Sequence, residues 1–164
     1  MTVKALTLLA ATISMGLVAG VFTLYAHTIM PGLRNTDDKT FVTAFQSIDR
    51  AIVNPWFMLT AFLGALVFTA AAAVSNRGGA ALPWIAVALG LYAIAFVVTF
   101  AVNLPLNDAI KAAGSPDRIR DLHAVREQFH AGRWEAWNLV RVATSAAAFA
   151  CLTWALVLYG RATA

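Results

Sequence analysis

The run from Trp134 to Tyr159, WEAWNLVRVATSAAAFACLTWALVLY, decides the fold class. Beyond Arg141 it carries no charged side chain. At a helical rise of about 1.5 Å per residue it is long enough to cross a hydrocarbon core of roughly 30 Å. Its first two turns crowd two tryptophans, a carboxylate, an amide and a guanidinium together. At about 100° per residue, Trp134, Asn138 and Arg141 fall on one stripe, with Trp137 about 60° to the side. Tryptophan at a helix end anchors in the interface and arginine there snorkels to water. Neither habit explains why an amide and an arginine share a face.

Working outward, three more segments have the length and apolarity of spans: about 5–30, 55–74 and 82–102, with the last at 134–159. Hydrophobic residues make up 60% of the 164-residue chain and charged residues 12%, about half the charge of a soluble domain. The net charge of +4 does not point to nucleic acid, because the basic residues are interleaved with the acids in the connections and form no patch or tail. Cys151 stands alone, without a disulfide or metal-ligand companion. The apolar run over 5–26 is longer than a signal-peptide core and reads as a retained span. These features predict a single all-α domain over 1–164, a four-transmembrane-helix bundle with both termini on one side.

The prolines mark borders. Pro31 follows the first span, Pro55 opens the second behind Asn54 as its N-cap, Pro83 opens the third and Pro105 closes it. The middle connection turns at Asn76-Arg77-Gly78-Gly79. The first and third connections are long, and each predicts an amphipathic surface helix. In the first, Thr36-Asp37-Asp38 caps a helix whose Phe41, Ala44, Phe45, Ile48 and Ile52 make an apolar stripe, with Gln46 and Asp49 on a neighbouring face beside the stripe. In the third, Ser115-Pro116-Asp117 starts a helix over 116–131. Eight lysines and arginines flank the long loops and three the other side, which predicts a cell-membrane protein with its long loops in the cytoplasm.

All eight acidic residues and all three histidines lie at the long-loop end. So do Gln46, Asn54, Asn103, Asn107 and Asn138. A pocket at that end, closed by the two surface helices, accounts for the asymmetry. His27 shares a face with Gly16, Gly20 and Thr23, whose small residues suit close helix approach, so it is predicted to face inward as a candidate general base. Asn103 and Asn107 flank Pro105 and are placed to satisfy the carbonyls it frees. Arg141, if inward, needs a partner, with Asp49 and Asp108 as candidates. His123, Glu127 and His130 share a helix face, but the histidines stand about 10 Å apart along the axis, so no metal site is predicted.

Together, Met30-Pro31-Gly32-Leu33, Phe41, Gln46, Asp49 and Asn54, Asn103-Leu104-Pro105-Leu106-Asn107, and Arg126-x-x-Phe129 leading to Trp134-x-x-Trp137-Asn138-x-x-Arg141 resemble the anthrone oxygenase-like family of small four-span membrane proteins. The resemblance covers nearly the whole chain. For members that are enzymes it implies oxidation of an anthrone to an anthraquinone by dioxygen, with no metal, flavin or other cofactor. On that chemistry His27 or Asp49 is the base. Arg141 with the Asn138 and Asn107 amides stabilises the oxyanion. Trp134 and Trp137 wall the pocket, and Gln46, Asn54 and Asn103 complete its polar lining. The expected partners are a lipophilic small molecule and membrane lipid. A non-enzymatic scaffold or lipophile-binding protein is the alternative. A transporter fits less well, since no ionisable residue lies near the middle of a span.

Overall fold

The computed structural model describes residues 2–163, and all regular structure among them is helical. Helix α1 runs Val3–Arg34, α2 Asp38–Ile52, α3 Phe57–Ser75, α4 Leu82–Ala112, α5 Leu122–Gln128 and α6 Ala131–Thr163. Helices α1, α3, α4 and α6 are long and apolar enough to cross a membrane, so the four-helix architecture expected from the sequence is the one observed. Helix α1 packs on α3 and α6, and α4 packs on α6 and α3, which closes a four-helix ring. Its main core is rich in small residues, among them Ala11, Ala65, Ala72, Ala88, Ala95, Ala148 and Ala155, all fully buried. Small side chains let helix axes approach closely.

Two spans continue past the prolines expected to end them. Helix α1 passes through Pro31 to Arg34, and α4 passes through Pro105 to Ala112. In each, a π-helical turn lies just ahead of the proline: Tyr25–Ile29 before Pro31 and Thr99–Asn103 before Pro105, with the same spacing. A proline lacks the N–H of the ladder and crowds the carbonyl four residues back. Here that carbonyl belongs to His27 or Ala101, inside a turn already widened to i→i+5 bonding, so the helix absorbs the proline instead of stopping. A third π turn, Phe57–Phe62, opens α3. All three lie at the long-loop end.

The third connection also differs from expectation. In place of a helix over 116–131, a single 3-10 turn at Pro116–Arg118 is followed by extended chain at Ile119. Asp121 then caps α5 by accepting the Ala124 N–H at 2.9 Å. A left-handed His130 (φ 50°) separates α5 from α6. Arg126 fastens α5 to the rest: its guanidinium donates to the carbonyls of Thr36 (2.8 Å) and Arg34 (2.9 Å) and to Asp38 (3.0 Å), over the Phe41 ring at 4.5 Å.

Candidate functional site

Helix α2 is the cover of the long-loop end. Asp37 caps it, accepting from the Thr40 backbone N–H at 2.9 Å and from the Thr40 hydroxyl at 2.7 Å. Its buried face is Phe41, Val42, Phe45, Gln46 and Asp49, turned from the apolar stripe toward the two polar residues. The aromatic side of that face meets Phe129 and Trp134, with ring centroids 4.4 Å and 5.9 Å from Phe45. Gln46 is fully buried because its amide donates to the carbonyls of Ile110 (2.7 Å) and Gly114 (3.1 Å), tying α2 to the end of α4. It is thus a brace and does not line the cavity.

Beneath α2 lies a cavity of about 230 Å³. Its walls are mostly aromatic and aliphatic, and its polar side chains are Tyr25, Asp49, Thr99, Asn107, Trp134 and Arg141. Each π turn supplies part of the wall: Tyr25 from the first, Phe57, Met58 and Phe62 from the second, Thr99 and Phe100 from the third. Isolated π turns recur at functional sites because the extra residue re-aims side chains. Val53 and Phe100 line the cavity yet are 58% and 48% exposed. The cavity is therefore not sealed from the outer surface near Val53, ahead of α3, and Phe100 of α4.

The carboxylate and the guanidinium of the cavity are held differently. Asp49 Oδ1 accepts from the Asn107 amide at 2.6 Å, and Asn107 Oδ1 in turn accepts from the Trp134 indole at 2.7 Å. The Lys111 ammonium stands 2.7 Å from Asp49 Oδ2, which is buried beneath it. Lys111 also reaches Asp108 at 3.1 Å. Arg141 is 5% exposed. It donates to Asn138 Oδ1 at 2.7 Å and, more weakly, to the Thr99 hydroxyl at 3.4 Å. Its guanidinium lies over the rings of Phe22 (4.4 Å) and Trp134 (5.2 Å). Its Nε has no partner, and no carboxylate pairs with it among the described residues. The expected Arg141–Asp49 or Arg141–Asp108 pair is replaced by Lys111 on both carboxylates. Lys111 reaches them because α4 runs on through Pro105.

Of the residues singled out in the sequence, Asp49, Asn107, Trp134 and Arg141 line the cavity. Asn138 stands behind Arg141 and ties it to α1 by donating to the Phe22 carbonyl at 3.0 Å. Asn103 donates to the Trp134 carbonyl at 3.1 Å, and Asn54 caps α3 by accepting the Phe57 N–H at 2.9 Å; both position neighbours and neither lines the cavity. Trp137 is 40% exposed on the outer face of α6. His27 is also exposed, with Nδ1 at 2.5 Å from the Thr28 hydroxyl. The inward stripe of α1 is Leu8, Ala11, Met15, Val18 and Phe22, and Tyr25, three residues on at the start of the first π turn, continues it onto the cavity, whereas His27 lies off it. Tyr25 was missed because the small residues at Gly16 and Gly20 were read as the inward face; Gly20 meets nothing within 4 Å, and the stripe of larger residues that runs on to Tyr25 faces the bundle. His123 pairs instead with Asp38 (3.2 Å) and Glu127 (3.4 Å), and no group of three metal-ligating side chains comes together among the described residues.

A protein-family model described as anthrone oxygenase matches residues 41–151, most of the chain. The matched region contains Asp49, Asn107, Trp134, Asn138 and Arg141 and begins after Tyr25 and His27. No curated protein and no solved structure matched the chain.

Proposed function

The chain belongs to the anthrone oxygenase family, and from that premise we propose that it oxidises a lipophilic, anthrone-type aromatic with dioxygen and without a cofactor. The observation that carries this reading is one apolar cavity lined by both a carboxylate, Asp49, and a guanidinium without a counter-ion, Arg141. An anthrone has an acidic methylene conjugated to a ketone. The Asp49 carboxylate takes one methylene proton, and Arg141 stabilises the charge that develops on the ketone oxygen. The electron-rich anion reduces dioxygen by one electron, and the radical pair combines to a carbon-bound peroxide. Loss of the second methylene proton with cleavage of the O–O bond gives the second carbonyl. The balance is one anthrone and one dioxygen to one anthraquinone and one water. Of the two candidate bases, Asp49 is favoured because it lines the cavity and His27 does not.

The exposure of Val53 and Phe100, which also line the cavity, supports delivery of the substrate from the bilayer. We assign the protein to the cell membrane with its long loops in the cytoplasm, on the excess of lysine and arginine there. The test is oxygen uptake by purified protein in neutral detergent with a simple anthrone and excess chelator, corrected for uptake in detergent alone. Asp49→Asn is expected to lose on the order of 10²–10⁴-fold in rate, whereas His27→Ala keeps it. Wild-type protein that binds the anthrone but consumes no oxygen above background would sink the oxygenase reading and leave a lipophile-binding protein.

A further inference from the structure

We propose that Lys111 is a positioning residue for the reaction: from outside the cavity wall, its ammonium keeps the Asp49 carboxylate charged and so able to take a proton from the substrate. This rests on the oxygenase reading, in which Asp49 is the base, and adds a residue to which that reading gives no part.

A carboxylate facing an apolar cavity meets a difficulty that a surface carboxylate does not. Burial disfavours its charged form, and a neutral carboxyl is no base. Asp49 is 5% exposed, and the cavity it lines is walled mostly by aromatic and aliphatic side chains. Its neutral donor is the Asn107 amide on Oδ1. Its cation is Lys111, 2.7 Å from Oδ2. No other charged group takes that place among the described residues. Arg141 of α6 and Tyr25 of α1 line the same cavity, but Arg141 donates to Asn138 and Thr99. Arg50, next to Asp49 in the chain, donates to Gln46 Oε1 at 2.9 Å. His123 and Arg126 of α5 meet Asp38, at the far end of α2, and Lys39 pairs with Asp117. Asp108, exposed at the surface, holds the other side of Lys111 at 3.1 Å.

A pair that served only to fasten the cover would not need charge. Gln46, about one turn before Asp49, already joins α2 to the end of α4 through neutral hydrogen bonds to the Ile110 and Gly114 carbonyls. A buried ion pair adds little stability over neutral packing. Lys111 is absent from the cavity lining, so its charge acts on the carboxylate without filling space that a substrate needs. The carboxylate it holds attracts a proton less strongly, but it is present as a base at neutral pH.

The ionisation of Asp49 is read without turnover, as the infrared carbonyl band of a protonated carboxyl in detergent-solubilised protein titrated with acid, assigned by its absence from Asp49→Asn. Lys111→Gln removes the charge and keeps a donor. Its Asp49 midpoint is expected at least about one pH unit above that of wild type, a roughly tenfold change in the ratio of the two forms. Lys111→Met, a second neutral variant should the amide not fold, is expected to move it at least as far. Lys111→Arg restores the charge and is expected to bring the midpoint back. In oxygen uptake, the rate lost by Lys111→Gln is expected to be largest at low pH and to shrink as the pH rises past the midpoint. An unmoved midpoint in a folded neutral variant overturns the proposal, as does a rate lowered by the same factor at every pH or a midpoint that moves as far in Lys111→Arg. The expected midpoints with no oxygen uptake by wild type defeat the oxygenase reading alone, and oxygen uptake with an unmoved midpoint defeats this inference alone.

Discussion

At the short-loop end, Ala65 and Ala72 of α3 and Ala88 and Ala95 of α4 are fully buried against Leu8, Ala11, Leu152 and Ala155. The helices there are regular and the packing leaves no cavity among those described. At the long-loop end, the same helices pass into π turns, the buried residues are Tyr25, Phe41, Phe45, Phe129 and Trp134, and the space between them stays open. Small residues pack closed and large ones pack around a void. The void is therefore not left by missing side chains. It is made by helices whose ladders have been widened and whose bulky residues are held back by other contacts.

Those contacts come from neighbouring helices, one at each π turn. Asn138 donates to the Phe22 carbonyl ahead of the first turn and the Tyr92 hydroxyl to the Phe62 carbonyl at the end of the second (2.7 Å), while in the third Arg141 reaches only the Thr99 side-chain hydroxyl, at 3.4 Å. A widened turn exposes backbone carbonyls that must be satisfied within the protein. The side chain that satisfies one also fixes the turn in place. Arg141 and its holder Asn138 serve two of the three turns, so the cavity's chemistry and its shape depend on the same residues.

Gly64 gives the largest way to break the contrast outside the charged pair. A Cβ there would stand 2.8 Å from the Leu59 carbonyl oxygen, inside the second π turn, and 3.2 Å from Ser14 Oγ. Gly64→Ala is expected to cost about 2 kcal/mol by overpacking and to lower the melting temperature in detergent. Gly20, which sequence spacing places with Gly16 as a close-approach pair, meets nothing within 4 Å. Gly20→Ala is expected to be neutral or slightly stabilising, as an exposed helical glycine replaced by alanine. Equal effects at the two glycines would mean that the second turn is not under the constraint described. Tyr92→Phe is the next smaller test. It leaves the Phe62 carbonyl without its side-chain donor and is expected to cost about 1 kcal/mol. An unchanged melting temperature would show that the turn does not need this pin.

The four spans were legible because apolarity over a bilayer's thickness needs no tertiary information. The caps were legible too, since Asp37 and Asn54 act within their own turns. The clustering of Asp49, Asn107, Trp134 and Arg141 could be anticipated from position at one end of the bundle. The partners could not. Pairing Asp49 with Lys111 instead of Arg141 requires knowing that α4 continues through Pro105, and that continuation depends on a π turn. His27 was put in place of Tyr25 for a different reason: the small residues at Gly16 and Gly20 were taken as the packed face of α1, and Gly20 meets nothing within 4 Å. The pairing could not be read locally, because a π turn shifts every later residue of its helix around the axis and its stabilising contacts lie on other helices.

Acid provides the last and smallest contrast between the two ends, because all eight carboxylates lie at one of them. Hydrogen bonds from the Thr40 backbone N–H and then from its hydroxyl hold the Asp37 carboxyl below its ordinary value of 3.8. A group whose folded value is lowered stabilises the fold above its unfolded value and loses that contribution as pH falls through the folded one. The cap on α2, and with it the cover of the cavity, should therefore be indifferent to pH between 5 and 8 and weaken only below about pH 4. Asp37→Asn keeps an acceptor for the Thr40 N–H but has no charge to lose. The gap in melting temperature between wild type and Asp37→Asn should be constant from pH 8 to 5 and close as the pH falls further. A gap that stays open in acid would mean that the cap's value lies in the shape of the side chain and not in its charge at the positive end of the helix.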